Sequence, residues 1–482
     1  MRDDQVDTKD ESTPALSAGS TGALQDWALF AVLAVVGAGL RLFSIEQWSF
    51  GAMEAETFRA VTQPLSAGPD GFTASEESRY PAVFLLVRWL LGNGVLQGFG
   101  EGWLRLPFAF AGCLLPPLMA LFARPVFGRA VAFLLALLLA VHPAHIAASQ
   151  TANPAVFSVS LAVMAGLAQR SQLRVLAWLF VIAAGGCHPI GWLVGIGMIC
   201  AGADRKLFAH TPKFVWWVLA LHVVVLVPAL IEQVGLSVLL LALLAIWMRP
   251  TDAGESITRG LSLAALLPLV GGGAWWWFDS SAASIAALGA LPALVLLASW
   301  SVVRFFHRMR RLVGDGVPQP GWLTRLLAAA PAIMLLGELL TTTFLYFFIY
   351  SGGRPPWRDV RNAALAALQP GHEIRIVAVR GCDVMRIYLR PSHWQYPNGV
   401  QDGMDPHPGT HVDVLPADLD AARELLVSPD VMLVLQHDEL AALLAADGGK
   451  ELVADFEKKF IWASPQPSGD HAIYLLQRRS PN

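Results

Sequence analysis

Charge is what this chain is shortest of: Asp, Glu, Lys and Arg make up 15% of its 482 residues, where soluble domains carry about 25%. With 55% of the side chains hydrophobic, that shortage excludes an ordinary water-soluble protein and calls for a nonaqueous solvent. Cysteine is scarce too, four residues in all. Cys113, Cys187 and Cys200 stand in apolar runs and only Cys382 lies beyond them. The C-terminal region therefore forms no internal disulfide, and the spacing matches no zinc pattern. No basic block suited to nucleic acid occurs, and a net charge of -3 points to no charged partner. No glycine fingerprint of the dinucleotide type opens a helix. No acidic pair of metal-ligand type stands in the apolar segments, and no strong internal repeat is present. The sequence implies no cofactor and leaves metal dependence open.

What is present is a series of apolar runs, and about 20 such residues cross a bilayer as a helix. They fall at 27–45, 81–98, 104–123, 127–144, 154–168, 174–203, 214–231, 234–248, 259–278, 282–303 and 326–350. The expected fold class is mainly α, a polytopic transmembrane helical bundle of about 11 spans over residues 24–350, with a C-terminal extramembrane α/β domain over 351–482. Residues 1–23, with Asp3, Asp4, Asp7, Asp10 and Glu11, read as a disordered polar tail. The run after them is too long for a signal core and reads as a retained span. The run 174–203 is overlong and carries Gly185-Gly186-Cys187-His188-Pro189 at its middle, where proline kinks or breaks a helix.

Counting that run as one span, with the N-terminus inside, the later inner loops hold Arg205, Lys206, Lys213, Arg249 and Arg259. The next holds Arg304, Arg308, Arg310 and Arg311. The outer turns near Glu232 and Asp279 hold no Lys or Arg, as the positive-inside rule requires. Arg124, Arg129, Arg170 and Arg174 run against this count. It places the 46–80 loop and the C-terminal domain on the outer, periplasmic-type face of a membrane, a bacterial inner membrane by this reading. Trp275, Trp276 and Trp277 beside Asp279 form an interfacial aromatic anchor. Beyond Arg354 the composition changes: strands are expected at Glu373–Val379, Val412–Leu415, Val431–Gln436 and Ala472–Leu476. Helices are expected at Trp357–Leu368, Asp418–Leu426 and Asp438–Ala446, a small α/β layer.

The outer loop carries the candidate chemistry. Phe50, Met53, Thr57 and Val61 recur near helical spacing, as in a helix lying at the membrane surface. Glu54 borders that stripe, and Glu56 falls on nearly the opposite side, three residues before Arg59. A carboxylate at the bilayer edge suits proton abstraction from an acceptor hydroxyl or amine, and Glu54 is the better placed; a solvated helix face is the plainer reading of the same pattern. His142-Pro143-Ala-His145 runs into Ser149-Gln150-Thr151-Ala-Asn153-Pro154, polar residues that contact a polar ligand or simply end a helix. His188, in mid-run, is either a satisfied core histidine or a functional group at membrane depth.

Taken in order, these stretches resemble the GT-C superfamily of membrane glycosyltransferases, in the branch of the protein O-mannosyltransferases and the lipid A aminoarabinose transferase. The matching pieces are Arg41-Leu-Phe, Met53-Glu54-Ala-Glu-Thr, Tyr80-Pro81-Ala-Val-Phe and Trp103-Leu-Arg105-Leu-Pro107. Phe127-Gly128-Arg129, His142-Pro143 into Ser149-Gln150, and Arg354-Pro-Pro-Trp357-Arg358-Asp359 continue the series. The family's Asp-Glu pair falls on Met53-Glu54, its His-Pro-Pro on Tyr80-Pro81-Ala82, and its basic residue after the fourth span on Asn153. The resemblance implies inverting transfer of a sugar from a polyprenyl-phosphate carrier to a lipid, protein or glycan acceptor at the outer face. Glu54, or Glu56, would then be the catalytic base. Arg79 and Arg105 are the cations near the matched stretches, and a guanidinium fork suits a lipid phosphate. Tyr80, His142, His145, Gln150, Asn153 and His188 complete the expected substrate-binding set. Two other classes fit a polytopic chain: a transporter or flippase, and a noncatalytic scaffold of an envelope assembly.

Overall fold

The structure, a computed structural model, describes residues 20–43, 45, 54–55, 57–58, 61, 82–93, 102–202, 226–247, 261–271, 282–314, 322–349, 357–366, 374–379, 382–389, 410–415, 418–428, 430–464 and 471–478. The bundle begins with α1 (Ser20–Leu42), α2 (Ala82–Gly92), α3 (Gly102–Phe127), α4 (Arg129–Val141), α5 (Pro143–Gln150), α6 (Ala155–Arg170), α7 (Arg174–Cys187) and α8 (Ile190–Gly202). It continues with α9 (Val227–Val234), α10 (Leu236–Trp247), α11 (Leu261–Gly271), α12 (Ala282–Gly314) and α13 (Trp322–Phe344), which runs on as a π-helical turn, Leu345–Ile349. Three of these helices are long and apolar enough to cross a membrane alone, and five spans result if each bent pair counts as one. The chain is an integral membrane protein.

Side-chain contacts tell the two ends of the bundle apart. At one end Arg105 meets Ile45 and Glu54, Gln150 meets Leu40, Arg41 and Phe43, and the Phe108 and Phe157 rings touch. At the other end Arg170 donates to Phe122 O at 3.0 Å, and the Phe127 ring lies 6.4 Å from Trp300. Hence α1 rises to the Glu54 end, α3 descends, α4 and α5 rise, and α6 descends.

Two expected spans are corrected by this course. The run 81–98 appears as α2, 11 residues and about 16 Å long at 1.5 Å per residue, against about 30 Å of hydrocarbon. The chain leaves the Glu54 end at Ile45 and re-enters the bundle at the same end at Arg105, so α2 is not a single crossing between them. Hydropathy fails here because an apolar helix lying across a bundle end matches a short span in composition. The run 174–203, read as one kinked span, is instead an antiparallel pair. Gly185 approaches Trp192 and Gly195 approaches Val181, while Gly202 returns to Gly166 and Arg170. The two corrections cancel in parity. Residues 20–23, assigned to the polar tail, belong to α1; residues 1–19 and Trp275 to Trp277 lie outside the described residues.

Residues 357–478 carry α14 (Trp357–Ala366), β1 (Ile374–Ala378), α15 (Cys382–Leu389), β2 (Thr410–Val414), α16 (Leu419–Leu426) and β3 (Val431–Gln436). α17 (His437–Ala445), α18 (Gly449–Ala454), β4 (Phe456–Ser464) and β5 (His471–Arg478) complete them. The strands form one sheet in the order β2-β1-β3-β5-β4, parallel across β2, β1 and β3 and antiparallel beyond. Strand alternation splits its side chains between two layers. Val377, Leu433, Leu435 and Leu476 pack on Leu426, Leu440 and Leu443. Ile376, Ala378, Met432 and Ile473 join Trp357, Val360 and Met385 in one apolar cluster with Ala55, Phe58, Trp103 and Leu104. The sheet therefore sits against the Glu54 end. β4, α15 and α18 had no counterpart in the sequence reading.

A cysteine placed at Asn93 tests the course of α2. In a cysteine-free background, N93C and D447C should react with an impermeant maleimide from one side of sealed vesicles and Q172C from the other. Labelling of N93C together with Q172C would restore the 81–98 crossing.

Candidate functional site

The outer-loop segment is helical where described, and its buried residues are Glu54, Ala55, Thr57, Phe58 and Val61. That i, i+1, i+3, i+4, i+7 pattern is one helix face. Three contacts seat it: Thr57 Oγ1 donates to Ala152 O at 3.2 Å, Arg88 Nε donates to Val61 O at 2.9 Å, and the Phe58 and Trp103 rings lie 5.9 Å apart.

Glu54, expected as the base, does not open toward solvent. Arg105 Nε donates to its Oε1 at 2.6 Å and Nη2 to its Oε2 at 3.0 Å, while Nη1 donates to Ile45 O at 2.5 Å. Glu54 is 1% exposed and Arg105 fully buried. A fork-on-fork pair of this kind is the strong form of a charge-assisted hydrogen bond. Both carboxylate oxygens are engaged, so the pair acts as a rivet between the loop and the first turn of α3. Arg105, placed on the inner side by the span count, stands on the same end as Glu54; the non-crossing α2 is the reason.

A second polar group fills the space where α4 breaks into α5. The two meet at 53°, because Pro143 cannot supply the N–H that would continue the helix. The break releases the last carbonyls of α4, and side chains from elsewhere take them. Arg41 donates through Nη1 to Ala140 O at 3.0 Å and Gly37 O at 2.8 Å, and through Nη2 to Leu139 O at 3.1 Å. Thr343 Oγ1 donates to Val141 O at 2.6 Å. Gln150 Nε2 in turn serves the end of α1, donating to the carbonyls of Leu40, Arg41 and Phe43 at 3.0–3.1 Å, and Tyr346 donates to Gln150 Oε1 at 3.1 Å. Arg41 is fully buried and has no acidic partner among the described residues. It lies at the C-terminal ends of α1 and α4, each equivalent to roughly half a negative charge; two such ends offset one guanidinium.

Both histidines are the Nε2–H tautomer. Arg41 Nη2 donates to His145 Nδ1, and an arginine never accepts, so His145 carries its proton on Nε2. His142 Nε2 lies 3.2 Å from Val234 O, a carbonyl that only accepts, so its proton sits there and Nδ1 is an acceptor. Arg41 Nε, His142 Nδ1 and His145 Nε2 are buried without a hydrogen-bond partner. A further break, 107° between α9 and α10, falls at Gly235, whose φ of +91° favours glycine. Glu338 of α13 takes the freed N–H groups of Leu236 and Ser237 at 3.1 and 3.2 Å.

The remaining expected residues lie apart from these groups or outside the description. Asn153 Oδ1 accepts from Ala155 N at 3.0 Å and starts α6. His188 turns the α7–α8 hairpin, its Nδ1 accepting from Ile190 N at 3.2 Å. Glu56, Arg79 and Tyr80 lie outside the described residues. Among the described residues no cluster of His, Cys, Asp or Glu could hold a metal ion. Sequence reasoning missed Thr343, Tyr346 and Glu338. Their signal was the presence of polar residues on the last apolar run.

No protein-family model and no curated protein matches the sequence. Among solved structures, the oligosaccharyltransferase of Archaeoglobus fulgidus tethered with an acceptor peptide aligns with a TM-score of 0.54 at 9% identity. It covers 95% of this chain and 74% of its own. ArnT from Cupriavidus metallidurans bound to undecaprenyl phosphate aligns with a TM-score of 0.47 at 16% identity, over 95% of this chain and 98% of its own.

Removing one partner of the buried pair leaves the other charge stranded, a cost of about 3–5 kcal/mol. Glu54→Gln and Arg105→Gln should each lower unfolding stability in detergent by that order, and Glu54→Leu with Arg105→Met should recover most of it. Equal stability of all four proteins would refute the rivet.

Proposed function

We propose, taking the GT-C glycosyltransferase fold of this chain as the premise, that it is a membrane glycosyltransferase. In this reading it takes a sugar from a polyprenyl-phosphate carrier and passes it, with inversion, to an acceptor at the Glu54 end. The fold carries the reading. The oligosaccharyltransferase that shares it was solved with an acceptor peptide, and in this chain the sheet lies over the Glu54 end of the bundle, where it would close a site and select the acceptor.

The Glu54–Arg105 rivet reassigns the chemistry. A carboxylate with both oxygens held by a buried guanidinium is a poor base, because taking a proton would strand the arginine. Glu56 is the other acid of the loop, and Glu54 has no free carboxylate oxygen to offer. We assign the proton-accepting role to Glu56 and the positioning role to Glu54.

The charges support an orientation. Arg124, Arg129, Arg170, Arg174 and Arg304 gather at the end opposite Glu54, following the Arg170–Phe122 and Phe127–Trp300 contacts and the Arg304–Trp300 stack. Under the positive-inside rule that end is cytoplasmic and the Glu54 end is outer. The four arginines that contradicted the original span count agree once 81–98 is withdrawn and 174–203 divided.

One observation favours a second reading, a noncatalytic scaffold of the same fold: the family acid position holds Met53, and its neighbour Glu54 is sequestered. Transfer of labelled sugar from polyprenyl-phosphate donors separates the two. Glu56→Gln should cut turnover by about 10²–10⁴-fold at unchanged thermal stability, whereas Glu54→Gln should lower stability and turnover together. Wild-type turnover in E56Q removes Glu56 from the mechanism, and no transfer from any donor by the wild-type protein favours the scaffold.

A further inference from the structure

The end of the bundle opposite Glu54 is cationic and, among the described side chains, carries no acid. The acidic side chains described in the bundle are Glu54, Glu232 and Glu338. Glu338 holds the start of α10, and Glu232 lies two residues before Val234, which meets His142. α4 sets about 18 Å between Arg129 and the break at His142, so none of the three reaches the arginines. At the cationic end Arg129, Arg174 and Arg308 are exposed. Arg170 donates to Phe122 O, and the Arg304 guanidinium stands 4.9 Å from the Trp300 ring centroid. Arg170, Arg174, Arg304 and Arg308 have no acidic partner among the described residues.

The α6–α7 turn sets two of these arginines at the head of an apolar strip. Leu173 N donates to Ala168 O at 2.8 Å and Ala177 N to Leu173 O at 2.9 Å, so the chain reverses between Arg170 and Arg174. From there α7 turns one face outward, with Val175, Trp178, Leu179 and Ile182 each more than half exposed. Their spacing, i, i+3, i+4, i+7, is a single helix face, and the opposite face of Ala177, Val181 and Ala184 is buried. Val175 to Ile182 covers about 10 Å, within the roughly 15 Å of hydrocarbon in one leaflet. A cation at the membrane surface followed by an apolar strip one leaflet deep is complementary to an amphiphile with a negative head.

We propose that the α6–α7 turn and the outer face of α7 dock an anionic phospholipid of the leaflet at that end. Arg174 takes the head, because the guanidinium fork matches phosphate oxygens and Arg170 already spends Nη1 on Phe122 O. The acyl chains lie along Val175, Trp178, Leu179 and Ile182. Net charge decides the choice of lipid: phosphatidylglycerol offers an uncompensated phosphodiester, whereas the trimethylammonium of phosphatidylcholine competes with the arginine. The lipid is a structural ligand at the end away from Glu54, and the proposal does not rest on the glycosyltransferase reading.

The full-length protein in detergent is titrated with phosphatidylglycerol and phosphatidylcholine of identical acyl chains, and bound lipid is counted by native mass spectrometry. Tighter binding of phosphatidylglycerol is expected. Arg174→Gln should weaken the tightest phosphatidylglycerol site about fivefold, the effect of one basic residue on an acidic lipid, and leave phosphatidylcholine unchanged. Arg174 is exposed, so this variant keeps the packing of the fold. Trp178→Ala should weaken both lipids alike, because it touches chains and not heads. Arg308→Gln, at the same end on α12, should leave the tightest site as it was. Equal affinity for the two lipids or unchanged phosphatidylglycerol binding in R174Q would overturn the proposal. An equal loss in R174Q and R308Q would overturn it too, since the preference would then belong to the whole cationic end. So would a lipid-free dimer mass that W178A abolishes, which would assign the face to a second copy of the chain.

Discussion

A helix broken inside a bilayer leaves main-chain carbonyls and N–H groups that no water can take, and that constraint organises the interior of this bundle. The α4–α5 break is closed by Arg41 and Thr343, the end of α1 by Gln150, and the α9–α10 break by Glu338 and His142. Each of these five side chains has a main-chain partner on a different helix. The same bonds that satisfy the breaks therefore also bind the helices to one another. Polar residues that look expensive in an apolar run are the means by which the run can be broken at all.

The Glu54–Arg105 pair does comparable work at the end of the bundle. It joins the loop to α3, and Arg105 reaches on to Ile45, so the exit from α1, the loop and the start of α3 meet at one guanidinium. Above it the apolar layer of Trp103, Phe58, Trp357 and Met385 runs into the sheet without interruption. That layer keeps water from the ion pair. Removed from solvent, the pair serves geometry.

Much of this was legible in residue order. The apolar runs located most helices, short apolar stretches at Glu373–Val379 and Val431–Gln436 marked two inner strands, and Glu54 and Arg105 were each singled out. Their partnership was not legible, because it depends on whether 81–98 crosses the membrane, and a window of apolar residues reads the same lying flat as spanning. The histidines show a similar limit. His142 and His145 were visible as polar residues at a run's end, but which nitrogen carries a proton follows only from the neighbours, Val234 O and Arg41. β4 escaped notice because Glu457, Lys458 and Lys459 interrupt any alternation; as an edge strand it pairs on one side only, with β5.

The order of strands in the sheet bears on how the chain is made. β5 is an inner strand, bonded to β3 on one side and β4 on the other, yet it follows both in sequence. During synthesis β3 and β4 must wait apart, each with a raw edge, until residues 471–478 emerge and slide between them. The membrane helices leave the ribosome earlier, so the Glu54 end is assembled before its cover exists. For that interval Trp103 and Phe58 need another apolar surface for company, whether lipid or a chaperone.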